Sequence, residues 1–209
     1  MEIDGITLEW LGHAAYRIKA DKTIYIDPFK LTTDEPADMI LLTHEHFDHC
    51  SVEDIKKIST AETLIFAPPD CQSKLSDVKA RGVTLVEPGK KIKVNNMMIE
   101  TVAAYNTNKD FHPKENEWVG YMITVNGKRI YHAGDTDLIP EMKDIKADVA
   151  LLPVSGTYVM TAEEAAQAAN MIQPEISIPM HYGSIVGKED DAQRFKQLVK
   201  GKVEILKKS

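Results

Sequence analysis

Residues 43–49 read "THEHFDH" and follow directly on the apolar run "MILL" at 39–42. Three histidines, an aspartate and a glutamate thus crowd the end of a segment with the character of a buried strand. If the backbone stays extended beyond Leu42, alternation sends His44 and His46 to the same side, where two imidazoles can share one cation. Asp48 and His49 follow where the chain turns toward its next element, and there they can face a second cation. A zinc ion takes imidazole nitrogen at ~2.0–2.1 Å and carboxylate oxygen at similar range, and keeps a position open where it works as a catalyst. A solvated polar loop capping a helix is the plainer alternative, but it gives no reason for so dense a cluster of histidines.

Outward from this motif, the preceding quarter reads as short strands, "ITLEWL", "AAYRIKA", "TIYID" and "ADMILL", each ended by Gly, Asp, Pro or charge. "SVEDIKKIS" is predicted as a helix, with Ser51 and Asp54 at capping-box spacing. "TLIFA" is predicted as a strand, "CQSKLSDVKARG" as a helix ending at Gly82, and "VTLVEPG" as a strand with a turn. Two hairpins follow, one around Asn95-Asn96 and one around Asn126-Gly127, the strongest hairpin signal in the chain. In the last third, "DVALLPV", "EISIPMH" and "KVEIL" read as strands, and "TAEEAAQAANMI" and "DDAQRFKQLVKG" as helices, the former with a Thr161/Glu164 capping box. Strand and helix alternate in both halves, so the expected fold class is α/β, two packed sheets with helices outside, in one domain over 1–209.

Composition narrows the function. No apolar stretch approaches the ~20 residues that span a bilayer, so membrane insertion is not expected. The start, "MEIDGITLEW", has neither a basic nor an apolar leader region, and the expected location is the cytoplasm. A formal net charge of −7 opposes binding to a polyanion, which makes nucleic acid a disfavoured partner. Cys50 and Cys71 lack the spacing of a thiolate metal site, and free buried thiols are expected.

The motif resembles the HxHxDH signature of the metallo-β-lactamase superfamily, and the likeness extends along nearly the whole chain. "WLGHAAYRI" followed by "IYIDPF" is similar to the family's opening, "IYHAGDTD" to its aspartate-bearing strand, and "IPMHYGSIVG" to the strand that delivers its last histidine. The resemblance implies a four-layer αββα sandwich. It also implies two divalent ions, zinc or manganese, with His44 and His46 on the first and Asp48, His49 and His181 on the second. Asp135 would bridge them. Read alone, Asp135 is equally a turn or capping residue and His181 a satisfied core histidine.

One departure stands out. The superfamily usually supplies a third histidine to the first ion from the strand read here as "IETVAAYN", which instead ends in Tyr105 and Asn106. Asn106 offers a weak carbonyl ligand, and His112 in the following loop offers an imidazole; otherwise the first site is only partly occupied. Asp27 resembles the family's buried aspartate that orients a metal-bound histidine, with a strand-end turn as the alternative. His13 in "LGHAAY" either contacts substrate near the mouth or is structural, His132 packs in its strand or supports the site, and Cys50 is a small buried residue. Tyr158 and Met160 either line a pocket or pack at a helix entry.

Together these imply a hydrolase of a small-molecule lactone, ester or phosphodiester that uses a metal-bound hydroxide, with Asp48 and His13 as catalytic candidates. Within the superfamily the closest likeness is to hydrolases related to ascorbate-phosphate lactonase and N-acyl-phosphatidylethanolamine phospholipase. Two rivals remain: a nuclease, opposed by charge, and a metal-stabilised binding or sensor protein whose incomplete first site has ended turnover. The sequence leaves oligomeric state open.

Overall fold

The computed structural model describes residues 1–209, arranged as two mixed seven-stranded sheets built on the same plan. The first runs in chain order through β1 (Glu2–Ile3), β2 (Ile6–Gly12), β3 (Ala15–Lys19), β4 (Thr23–Ile26), β5 (Met39–Leu41), β6 (Leu64–Ala67) and β7 (Gly82–Leu85). The second runs through β8 (Lys91–Val94), β9 (Met97–Ala103), β10 (Val119–Val125), β11 (Lys128–His132), β12 (Val149–Pro153), β13 (Ile176–Met180) and β14 (Lys202–Val203). In each, the first four strands are antiparallel and the last four are joined in parallel. Helix α1 (Val52–Ile58) packs outside the first sheet, and α2 (Ala162–Ile172) and α3 (Glu189–Leu198) outside the second. This is the expected αββα sandwich.

Residue pattern explains the placement. Met97, Ile99 and Thr101 of β9 are buried while Met98, Glu100 and Val102 are partly exposed, the alternation of a strand with one face in the core. By contrast β5 and β12 are buried at every residue, because both faces are covered. At the β10–β11 turn, Asn126 and Gly127 adopt φ of 48° and 77°, the left-handed geometry that matches strand twist. Thr161 and Glu164 form a complete capping box on α2. Ser51 does cap α1, but Asp54 turns its carboxylate to the Ser51 hydroxyl and the Lys30 and Leu31 amides, so the reciprocal half of that box is absent.

The helix expected over "CQSKLSDVKARG" does not form. A single 3-10 turn, Pro69–Cys71, leads into successive tight turns in which amides reach back mostly three residues, as from Val78 to the Leu75 carbonyl. Only Cys71 and Leu75 of this stretch are buried, too small an apolar face to repay helix nucleation. Lys74 instead donates to the Glu45 carbonyl at 2.6 Å and ties the segment to the histidine motif.

Within the second sheet the end of β11 crowds Gly120 of β10, where an added Cβ would lie 2.7 Å from the carbonyl oxygens of His132 and Ala133. Gly120→Ala is expected to destabilise the protein by about 1–3 kcal/mol through overpacking, read as a lowered melting temperature. An unshifted melt would mean that β11 yields freely there.

This double layout decides where a site can form. Strand order switches from antiparallel to parallel at β4–β5 and again at β11–β12, and loops leaving the carboxyl ends of such strands diverge to leave a crevice. Asp27 follows β4, the histidine motif follows β5, Asp135 follows β11, and His181 follows β13. The two sheets are tied there by Val119, whose amide donates to the Thr43 carbonyl at 3.1 Å, and by the Tyr121 hydroxyl on the Leu42 carbonyl at 2.8 Å.

Candidate metal centre

The loops bring their donors together, four of them from the one that follows β5. His44 turns its Nδ1 to the Thr43 hydroxyl at 2.9 Å, leaving Nε2 free to face His46 Nδ1 at 3.1 Å. His112 enters from the loop after β9 and completes a three-imidazole group with these two. Its Nδ1 lies 3.1 Å from Asn106 Oδ1 and 3.2 Å from the Tyr158 carbonyl, so its Nε2 points inward, 3.3 Å from Asp135 Oδ2. Of the two replacements considered for the absent strand histidine, His112 therefore stands with His44 and His46. Asn106 turns its carbonyl oxygen to His112, accepting its backbone amide as well at 2.9 Å. It sits as a support to that ring rather than among the donors.

A second group gathers on the other side of Asp135. His49 donates Nδ1–H to Asp27 at 2.7 Å, which leaves its Nε2 3.4 Å from Asp135 Oδ1 and 3.6 Å from Asp48 Oδ2. His181 holds Ser155 at 3.0 Å through Nδ1 and faces Asp135 Oδ2 at 3.0 Å through Nε2. Asp27 also accepts the Thr43 amide and hydroxyl, at 2.8 and 2.6 Å, so one buried carboxylate sets the backbone entering the motif and the ring leaving it. Asp27, His13 and His181 all adopt positive φ, of 45°, 54° and 62°. Such backbone is costly outside glycine and persists where the surroundings hold it for a function.

His13 is 1% exposed, and a ring nitrogen of it groups with the donor atoms of Asp48, His49 and His181. It hydrogen-bonds Asp48 Oδ2 at 2.9 Å, and its ring lies 4.0 Å from that of His181. The His181 amide donates to the His13 carbonyl at 2.9 Å, joining the β2–β3 turn to the end of β13. His132 is also buried and bonds the Ala14 carbonyl, as support for the fold at this edge. Met160 is core, whereas Tyr158 is half-buried and reaches the site through its carbonyl. Both cysteines are free and buried.

Electrostatics follow from this packing. Burial holds the His44 and His46 imidazoles below their ordinary pKa, which keeps ring lone pairs available. Burial also takes His13 down to about 4 against the pull of Asp48, so it is neutral at pH 7. For Asp48, burial raises the pKa but the His13 hydrogen bond and the field of His49 outweigh it, bringing the group down to about 2. Asp135 is likewise held ionised against burial by His181 and His49, while His49 is raised against burial by Asp135 and Asp27. Three buried or near-buried carboxylates thus converge on a few imidazoles, a field that favours cations.

The donor set fits divalent metal ions. His49 Nε2, His112 Nε2, His181 Nε2 and Asp135 Oδ1 are buried with no hydrogen-bond partner, although each lies near another donor. The distances from the His49, His112 and His181 Nε2 atoms to the carboxylate oxygens of Asp135 and Asp48, 3.0–3.6 Å, fall near the edge of a tetrahedron about an ion at ~2.0–2.1 Å, roughly 3.3 Å. Buried polar groups are ordinarily paired, so four orphans aimed at one region call for an occupant.

The chain's relatives agree. Residues 7–181 match the family described as β-lactamase superfamily domain. The chain belongs to that superfamily. It is 35% identical to a UPF0173 metal-dependent hydrolase of Pyrococcus abyssi over 221 residues, 97% of this chain and 96% of that protein. A crystal structure from Parabacteroides distasonis, assigned as a metal-dependent hydrolase, superposes with a TM-score of 0.86 at 34% identity, over 97% of this chain and 94% of that one. A metallo hydrolase of Ignicoccus hospitalis superposes at 0.77 with 25% identity, covering 98% and 96%. The protein is accordingly a metal-dependent hydrolase, which sets aside the non-catalytic alternative.

Some supports of this hydrolase's site had no signal in the sequence. Trp118 packs its ring 4.8 Å from His44, 4.9 Å from His46 and 5.5 Å from His112, and donates its indole N–H to Asp70. Ser155 lies 26 positions before the histidine it orients. A cavity of about 570 Å³ opens on the outer face of β9–β11, and Trp118, which lines it, stands between it and the imidazoles. No helix is long and apolar enough to cross a membrane.

Proposed function

We propose that the protein binds two divalent ions, zinc or manganese, and hydrolyses a small-molecule lactone, ester or phosphodiester in the cytoplasm. His44 Nε2, His46 Nδ1 and His112 Nε2 would hold the first ion, Asp48, His49 and His181 the second, with Asp135 between them. The observation that carries this reading is the set of partnerless inward-facing donors on both sides of Asp135. Such ions, when bound, lower the pKa of coordinated water toward ~7 and polarise a substrate oxygen.

The chain's own residues supply orientation and proton handling. Asp27, Ser155 and Asn106 each engage the Nδ1 of one imidazole, fixing which nitrogen is offered. Neutral His13 holds the ionised Asp48 at Oδ2, which leaves the other carboxylate oxygen to take a proton and return it to a leaving group. Trp118 excludes water from the back of the three-imidazole group.

Asp27→Asn keeps the shape but weakens the hold on His49, and should lower metal affinity or turnover about 10–100-fold, measured by competition with a chelator. An unchanged affinity would remove Asp27 from this role. The reading as a whole is tested by assaying zinc- and manganese-loaded protein against lactones, esters and phosphodiesters, with metal content measured in parallel. Two equivalents of metal with turnover in one class is the expected result; two equivalents and no turnover in any would exclude the substrate class.

A further inference from the structure

Large apolar side chains that face water are few on this protein. Phe47, Val83, Leu85, Phe111, Met171 and Ile185 are the exposed ones. Val83 and Leu85 lie on the edge strand β7 and Met171 on α2. The other three adjoin the donor cluster: Phe47 stands between His46 and Asp48, Phe111 immediately precedes His112, and Ile185 lies in the loop after His181. Phe47 is 68% exposed and Phe111 50%.

The two phenylalanines each pack against a residue that itself touches the cluster. Phe47 meets Phe29 edge-on at 6.0 Å, and Phe29 meets His13 at 5.9 Å. Phe111 meets Tyr158 edge-on at 4.6 Å, and the Tyr158 carbonyl reaches the His112 ring. Both phenylalanine rings keep much of their surface in water. A scattered apolar residue needs no account, but exposed apolar groups contiguous with a reactive cluster mark a contact surface. Loops held by a rigid scaffold are where such surfaces arise.

We propose that Phe47, Phe111 and Ile185 form a rim that binds an apolar acyl or alkyl portion of the substrate, so that the hydrolase acts on esters or lactones with a hydrocarbon chain beside the cleaved bond. The proposal rests on the hydrolytic reading given above. Its occupant is substrate because the rim is continuous with the donors that would meet the reacting carbonyl.

Binding can be read apart from turnover with alkyl hydroxamates, whose head group chelates divalent ions. Titration of metal-loaded protein with the series from acetohydroxamate to octanohydroxamate should tighten about twofold per added methylene, half-way to the roughly fourfold of full burial. Phe47→Ser/Phe111→Ser should flatten the series to under about fivefold in total, while Val83→Ser, altering an apolar residue on β7, should leave it steep. A flat series, or no binding, in the wild type overturns the rim. So does a series that stays steep in the double variant; if that variant also dissolves a wild-type dimer in sedimentation, the surface serves a second copy instead. Esters of matching chain length separate the two readings: a steep hydroxamate series without ester or lactone turnover keeps the rim and removes the hydrolytic class. Turnover with a flat series does the reverse.

Discussion

Asp135→Ala is expected to lower turnover by on the order of 10³-fold, since an ion held by one fewer charged ligand forfeits several kcal/mol of stabilisation and each ~1.4 kcal/mol is tenfold in rate. The residue stands between both donor groups, 3.4 Å from His49, 3.3 Å from His112 and 3.0 Å from His181. No other carboxylate spans them. The fold should survive. Asp135 stands in the loop after β11 and faces the imidazoles of His49, His112 and His181, so its loss removes no strand or helix contact. Circular dichroism and a thermal melt check the fold, and metal analysis checks occupancy. Asp135→Asn, which keeps volume and removes charge, guards against a variant lost to packing. Near-normal turnover with two equivalents of metal in either variant would end the assignment.

The second large effect belongs to His112. His112→Ala should reduce bound metal from two equivalents to about one and cut turnover by roughly 10²–10³-fold, in line with removal of one preorganised stabilising group. His44 and His46 alone would leave the first ion with two imidazoles and a share of Asp135. Asn106→Ala removes only the partner of the His112 Nδ1, and a milder loss of about 10–100-fold follows. The ordering discriminates: if Asn106→Ala were the more severe and His112→Ala still bound two ions, the asparagine would be the ligand and the histidine its neighbour. Isothermal titration of chelated protein with zinc gives both occupancies.

Much of the secondary structure was legible from local rules. Alternation marked β9, the Asn126-Gly127 pair marked its hairpin, and Thr161 with Glu164 marked the start of α2, because each acts over a few residues whose geometry is their own. The stretch 71–82 misled for the same reason. Its residues tolerate a helix, but only Cys71 and Leu75 found a core to enter, and tertiary burial outranks propensity. His112 stood in a loop with no period to place it, and only the paired carbonyls of Asn106 and Tyr158 give its ring a direction. Trp118 carried no motif at all.

By itself, then, the chain's order of residues determined most of the strands and helices, the stretch 71–82 apart, and that imidazoles and carboxylates cluster after Leu42, since those follow from spacing along a backbone of known repeat. Only the tertiary structure decided that His112 joins His44 and His46, that His13 lies buried against Asp48, and that the inward atoms of His49, Asp135 and His181 stand 3.0–3.4 Å apart. Those separations depend on how two sheets pair and pack across residues more than a hundred positions apart, a sum of many burial and hydrogen-bond energies that no short segment contains.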